Sequence, residues 1–200
     1  MMARTHNSIF EAWKATNPTE RFHDYWVRRW DWELGSYAGL GWSLIPVYHR
    51  EKFPVHDANW KSDRFSYDVI RFHVRQGGNV ALNAGDSGIV VLDYDSKYVP
   101  PQLEKKILEV PTINTAKGFA FLTKPPSEGD LFDRLKASYP HFDSPRGEGK
   151  YELLPLSETC AMKDHGLGGC HHDFRVREWV GEGLKLPIPP FSGFCKEVLG

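Results

Sequence analysis

Cysteine is scarce in this chain, with three residues in 200. An odd, small count does not build a disulfide framework. A chain of this length buries roughly 70% of its unfolded surface and needs no such staples. No apolar run approaches the ~18 residues of a membrane helix. The opening MMARTHNSIFEAW lacks the apolar stretch of a signal peptide. The expectation is therefore an intracellular, cytoplasmic protein in a reducing compartment, without a membrane partner. Excess charge of one sign is also missing: Lys and Arg number 25, Asp and Glu 26, for a net charge of −1. That excludes a generally basic surface gripping nucleic acid non-specifically, although a summed charge still allows a local basic groove. There is no internal repeat, no low-complexity tract and no G-x-x-x-x-G-K-[ST] phosphate loop of a helicase motor. What is present is globular: 40% hydrophobic, 26% charged and 14% aromatic residues, seven of them Trp, enough apolar surface for one sizeable domain.

Three parts of that single domain, 1–200, read differently. In 1–40, Phe10, Trp13, Phe22, Tyr25, Trp26, Trp30 and Trp32 mostly recur at helical spacings of three and four, which predicts helices with a packed aromatic face. From Gly41 to about 125 the pattern turns to strands. GWSLIPV closes at Pro46, a helix near 65–75 ends at Gly77–Gly78, and NVALNAG and GIVVLDYD are joined by a tight Gly-Asp-Ser-Gly turn. The continuous apolar run GIVVL predicts a central strand covered on both faces. Gln102–Val110 reads as a short helix, and PTINTAKGFAFLTK as a hairpin turning at Ala116–Gly118. In 126–200 come a helix, DLFDRLKAS, a strand, KYELLPL, a Gly/His/Cys-rich stretch, RVREWVG and a proline-punctuated tail containing Cys195. Helices followed by a mixed set of strands predict an α+β fold with an antiparallel or mixed sheet.

Asp93-Tyr94-Asp95, at the end of the most hydrophobic strand, is the sharpest chemical feature. Residues two apart on a strand share a face, and two carboxylates side by side repel unless a cation lies between them. A hard divalent ion, Mg²⁺ or Mn²⁺, meets that need and takes one or two carboxylates together with substrate phosphates. The arrangement suits phosphoryl or nucleotidyl transfer. The alternatives are a pair of exposed acids at a strand end, or the D-x-D of a sugar-nucleotide-dependent glycosyltransferase.

The surroundings favour one of these. In order come Gly41, Trp42, Pro46, Lys52, Pro54, Asn79, Gly85, Ser87, Gly88, Asp93 and Asp95, and then Pro111, Thr112, Thr115 and Gly118. The set, over about residues 38–190, resembles the bifunctional primase/polymerase (Prim-Pol) domain family of the archaeo-eukaryotic primase superfamily. The resemblance implies N-terminal helices packed on a primase-polymerase (RRM-like) sheet and template-directed nucleotidyl transfer in plasmid- or phage-type replication. It also implies Mg²⁺ or Mn²⁺ on Asp93 and Asp95, with DNA template or primer and dNTP or NTP as partners. A helicase would be a further domain or a separate protein. The third acid has two candidates: Glu152, preferred because KYELLPL is a rigid strand, and Asp143, which aligns with a D-x-R-G variant. The nucleotide-binding candidates are Lys52, Lys117, Gly118 and position 120. There the family carries a histidine that contacts the incoming nucleotide's phosphates, whereas this chain has Ala120. Lys117 remains as a point charge for a triphosphate. The missing histidine leaves open a non-catalytic, nucleic-acid-binding module that kept the fold. Arg71 and Arg75 are further groove candidates, each more often a solvated surface charge.

A second constellation is Cys160-x4-His165-x4-Cys170, followed by His171 and His172. Thiolates and imidazoles this close together are the usual ligands of structural zinc. Ser157 stands where a zinc knuckle would carry its first cysteine, so His171 or His172 would complete the set. The bland alternative is a core cysteine in a strand with exposed loop histidines. Gly166-x-Gly168-Gly169 has neither the preceding strand nor the Lys-Ser/Thr of a phosphate loop.

Overall fold

A computed structural model describes residues 22–55, 59–61, 63–126, 129–160 and 174–200. The fold is α+β, with five α-helices and antiparallel strand pairs among the described residues. The chain divides into two compact units, Met1–Leu82 with Leu153–Glu178, and Asn83–Glu152 with Trp179–Gly200. The change of pattern near residue 125 lies inside the second.

In the first unit, helix α1 (Phe22–Gly39) buries Trp30, Leu34 and Tyr37, one face of a 3.6-residue period. Trp32 is 62% exposed and is not part of the packed face that the aromatic spacing predicts. Strand β1 (Leu44–Val47) follows, then helix α2 (Tyr67–Arg75), capped by the Ser66 hydroxyl accepting from the Val69 N–H. Arg71 and Arg75 both pair with Asp31 of α1, at 2.9 and 3.6 Å. Strand β2 (Asn79–Asn83) runs antiparallel to β1, with Leu44 opposite Leu82 and Val47 opposite Asn79. On its other side the Leu154 N–H donates to the Val80 carbonyl.

Asn79 is a structural residue. Its side-chain amide donates to the Glu158 carbonyl (2.7 Å) and accepts from the Glu158 N–H (2.9 Å), and it also reaches the Glu51 carbonyl (3.3 Å). Ser157 is committed in the same way, its hydroxyl donating to the Val80 carbonyl and accepting from the Val80 N–H. Asn79→Leu leaves buried backbone groups of Glu158 without partners. It is expected to cost about 2–4 kcal/mol, since each unmade buried bond costs ~1–3 kcal/mol. Chemical denaturation of the two proteins checks this, and an unchanged midpoint would contradict it. The antiparallel pair of β7 (Glu158–Cys160) and β8 (Phe174–Val176) completes the described part of this unit.

The second unit carries the larger sheet. Strand β3 (Val90–Tyr94) pairs antiparallel with β5 (Phe119–Thr123), which pairs with β4 (Thr112–Asn114). Trp179 of the two-residue β9 (Glu178–Trp179) lies on the far side of β4. Helices α3 (Pro101–Glu109), α4 (Gly129–Ser138) and α5 (Phe191–Leu199) cover one face. Val90, Leu92, Tyr94, Phe119 and Phe121 pack there against Leu103, Ile107, Phe132, Leu135, Phe191, Phe194 and Val198. Strand β6 (Tyr151–Leu153) begins in this unit.

Three expectations from the sequence do not hold. The turn after β2 forms, with the Gly88 N–H on the Gly85 carbonyl, but β2 and β3 enter different sheets and make no hairpin. β3 is buried throughout, yet it ends the strand order rather than occupying its centre. The segment 142–146, not another strand, covers its free edge. The proline-punctuated tail ends in helix α5, where Cys195 is wholly buried in the core rather than a tail residue. Pro190 sits at its N-cap position, and Phe191, Phe194, Cys195 and Val198 repeat at three and four.

Candidate active site

Alternation along β3 sends Val90, Leu92 and Tyr94 into the helical core, leaving Val91 and Asp93 on the opposite face. Asp93 lies in register opposite Ala120 of β5, and Ala120 opposite Ile113 of β4. Directly opposed residues of an antiparallel pair share a face, with Cβ atoms ~4.5–5.5 Å apart. Position 120 is therefore the cross-strand neighbour of the first acid, and the alanine there is fully enclosed.

The other edge of β3 is zipped to residues 141–146. The Asp95 N–H donates to the His141 carbonyl, the Asp143 N–H to the Asp93 carbonyl, and Val91 and Arg146 exchange both backbone bonds, all at 2.9 Å. The paired bridges Tyr94–Phe142 and Val91–Arg146 span three steps on β3 but four on the facing segment. One extra residue is thus bulged out beside Pro145, which has no N–H to lose. The bulge brings Arg146 onto the same face as Asp93.

Its guanidinium then forks. Nη2 donates to Asp93 Oδ2 at 2.5 Å, and Nη1 donates to Glu152 Oε2. Glu152 is only 1% exposed, whereas Asp95 and Asp143 are open to solvent. Burial works against the charge on Arg146. The carboxylates of Glu152, Asp93, Asp143 and Asp95 outweigh it and hold the arginine's pKa above its ordinary value. Asp93 and Glu152 thus bind one cation directly, and Asp143 and Asp95 act on it through space.

The turn between β4 and β5 lies beside the second acid. The Thr115 N–H donates to the Gly118 carbonyl and the Gly118 N–H to Thr115 Oγ1, both at 3.0 Å. Lys97 ties this turn from outside, donating to Asn114 Oδ1 (2.9 Å) and to the carbonyls of Thr115 (2.6 Å) and Gly118 (3.2 Å). Lys117 Nζ sits 3.8 Å from Asp95 Oδ2. Gly118 packs so closely that a Cβ would lie 1.7 Å from the Tyr94 carbonyl oxygen.

Among the described residues, no group of three or more His, Cys, Asp or Glu side chains stands arranged around a metal position. Asp93, Asp95 and Asp143 offer carboxylate oxygens, the hard donors that Mg²⁺ or Mn²⁺ takes, and Asp95 and Asp143 are exposed.

A family model described as Bifunctional DNA primase/polymerase, N-terminal (Prim-Pol), matches residues 34–182. The chain belongs to the Prim-Pol family. No curated protein matches it. Membership carries a primase/polymerase-type nucleotidyl transfer role, with nucleic acid and nucleotides as substrates.

Of the residues singled out for a Prim-Pol site, Asp93, Asp95, Asp143, Glu152, Lys117, Gly118 and Ala120 all fall in the second unit. Lys52 is exposed in the first. For the zinc constellation, Cys160 ends β7, and His165, Cys170, His171 and His172 lie outside the described residues. Two residues bonded to these candidates or to the turn beside them were not anticipated, Arg146 and Lys97. Arg146 could have been found as the one basic residue in HFDSPRGEG, the segment that already offered Asp143. Lys97 carries a weaker signal, a lysine two positions after the second acid. No helix among the described residues is long and apolar enough to cross a membrane.

Proposed function

We propose that this Prim-Pol domain polymerises nucleotides on a DNA template, with Asp93, Asp95 and Asp143 holding Mg²⁺ or Mn²⁺. The setting we infer is plasmid- or phage-type replication in the cytoplasm, with helicase activity supplied elsewhere. The observation that carries the reading is Asp93 in register beside position 120, with Asp95 next to the Lys117 turn. Bound metal would lower the pKa of an attacking hydroxyl and offset charge on the phosphates. The chain's own groups do the positioning. Lys97 holds the turn, Lys117 presents a point charge to a triphosphate, and the backbone bond from Asp143 to Asp93 keeps the two residues side by side. Accessibility favours Asp143 over Glu152 as the third acid. Asp143 is exposed, whereas Glu152 is enclosed with Arg146, so Glu152 serves to orient that arginine. Family membership leaves the glycosyltransferase alternative without support.

Ala120 sets the expected level of activity. It shares a face with Asp93 and offers a triphosphate no donor. A lost charge-assisted hydrogen bond costs ~1.5–3 kcal/mol, or about tenfold and more in rate. The chain as it stands is therefore a weak polymerase. Ala120 is wholly enclosed, so a histidine there must push its neighbours aside to reach a triphosphate; when it does, Ala120→His is expected to raise primer extension at least about tenfold. Primer extension with dNTPs and Mn²⁺ on a primed DNA template tests both statements. DNA binding without extension by either protein would replace the reading with a non-catalytic module, which the enclosed alanine favours. Full activity of the alanine form, with no gain from histidine, would mean that another group serves the phosphates.

A further inference from the structure

We propose that Arg146, anchored on Glu152, is the built-in counter-ion of the acid cluster, holding Asp93 until a divalent cation displaces it. The inference rests on the reading of Asp93 and Asp95 as metal ligands. It concerns what occupies those ligands beforehand.

Three observations carry it. First, the guanidinium is held at both ends, by Asp93 Oδ2 and by Glu152 Oε2. Planar, fork-shaped donors suit two carboxylates at once. Second, the anchor is secure: Glu152 is buried, and a buried carboxylate stripped of its cation is strongly unfavourable. Third, the bulge between Tyr94–Phe142 and Val91–Arg146 delivers the arginine to the Asp93 face from the neighbouring backbone, so its approach does not depend on a flexible loop. Glu152 and Asp93 contact the guanidinium, and Asp143, Asp95 and Tyr151 interact with it electrostatically. All the charged ones among them are acids. A metal ion engaging Asp93 meets a positive charge already there. Repulsion between charges a few ångströms apart in a partly exposed site shifts affinity by about tenfold or more. Arg146 can swing off Asp93 and stay on Glu152, which makes the exchange reversible.

Mn²⁺ titration calorimetry and thermal unfolding of the full chain, without DNA or nucleotide, test this directly. Arg146→Gln keeps hydrogen-bonding capacity but removes the charge. It is expected to bind Mn²⁺ at least about tenfold more tightly than the unaltered protein. Its metal-free melting temperature should fall, and saturating Mn²⁺ should raise it by more than it raises that of the unaltered chain. Arg146→Lys, which keeps the charge, should stay within about threefold of the original affinity. If Arg146→Gln does not fold without metal, Arg146→Gln/Glu152→Gln removes the stranded buried charge, and the same tightening is expected against Glu152→Gln alone. Equal or weaker Mn²⁺ binding after loss of the arginine charge, while the unaltered chain binds, overturns this inference and leaves the metal site standing. No Mn²⁺ binding by any of the proteins overturns the metal site and the inference together.

Discussion

Asp93→Asn is expected to reduce primer extension by about a thousandfold while leaving the fold in place. Asparagine matches aspartate in size, and the backbone bond from the Asp143 N–H to the residue 93 carbonyl is unaffected. What disappears is one carboxylate charge in the proposed metal-binding set. Metal-mediated stabilisation of a phosphoryl transition state is worth several kcal/mol, and about 4 kcal/mol corresponds to a thousandfold in rate. The sequence, with two acids side by side, suggests that removing charge would relieve repulsion and stabilise the metal-free protein. The structure reverses that sign. Asp93 is paired with Arg146 at 2.5 Å, so its loss removes a favourable charge-assisted bond and lowers stability by about 1.5–3 kcal/mol. Glu152 still holds the arginine, which keeps the loss moderate. Extension assays with Mn²⁺ and dNTPs, alongside thermal unfolding, check both parts. A variant that extends primers within threefold of the original would remove Asp93 from the catalytic set.

Gly118→Ala is expected to destabilise the protein by about 3 kcal/mol, at the upper end of overpacking costs, and to lower the melting temperature by roughly 6–12 °C. The added Cβ would lie 1.7 Å from the Tyr94 carbonyl oxygen, 2.8 Å from the Ser96 nitrogen and 2.9 Å from the Tyr94 carbonyl carbon. These are backbone atoms, with no side chain to swing aside. Relief requires the Thr115–Gly118 turn to withdraw from the end of β3. That would break the Lys97 contacts to Thr115 and Gly118 and carry Lys117 away from Asp95. Nucleotide affinity should therefore fall with stability, and a filter-binding or calorimetric measurement with dNTP separates the two effects. A melting temperature within about a degree of the original would show that the turn has room to spare.

What the sequence determined by itself is local. Helix α2, strand β3 and the β4–β5 hairpin are legible because capping residues, apolar runs and turn glycines act within a few residues of one another. Asp93 of D-x-D is legible because alternation on a strand is a property of that strand, whereas Asp95 lies just past the end of β3 and is exposed. Helix α5 was equally available in the spacing of Phe191, Phe194, Cys195 and Val198, but the prolines before it masked a start signal as a loop. Tertiary structure alone decided the rest. Nothing in residues 79–95 says that β2 and β3 enter different sheets, because strand partners are chosen by long-range packing. Nothing near Asp93 names its counter-charge, because Arg146 lies 53 positions away in the chain and is aligned by a bulge in a facing segment. Accessibility, which distinguishes Asp143 from Glu152, is likewise a property of the folded surface: both are carboxylates in one short stretch of sequence, and only burial gives one of them to solvent and the other to the arginine.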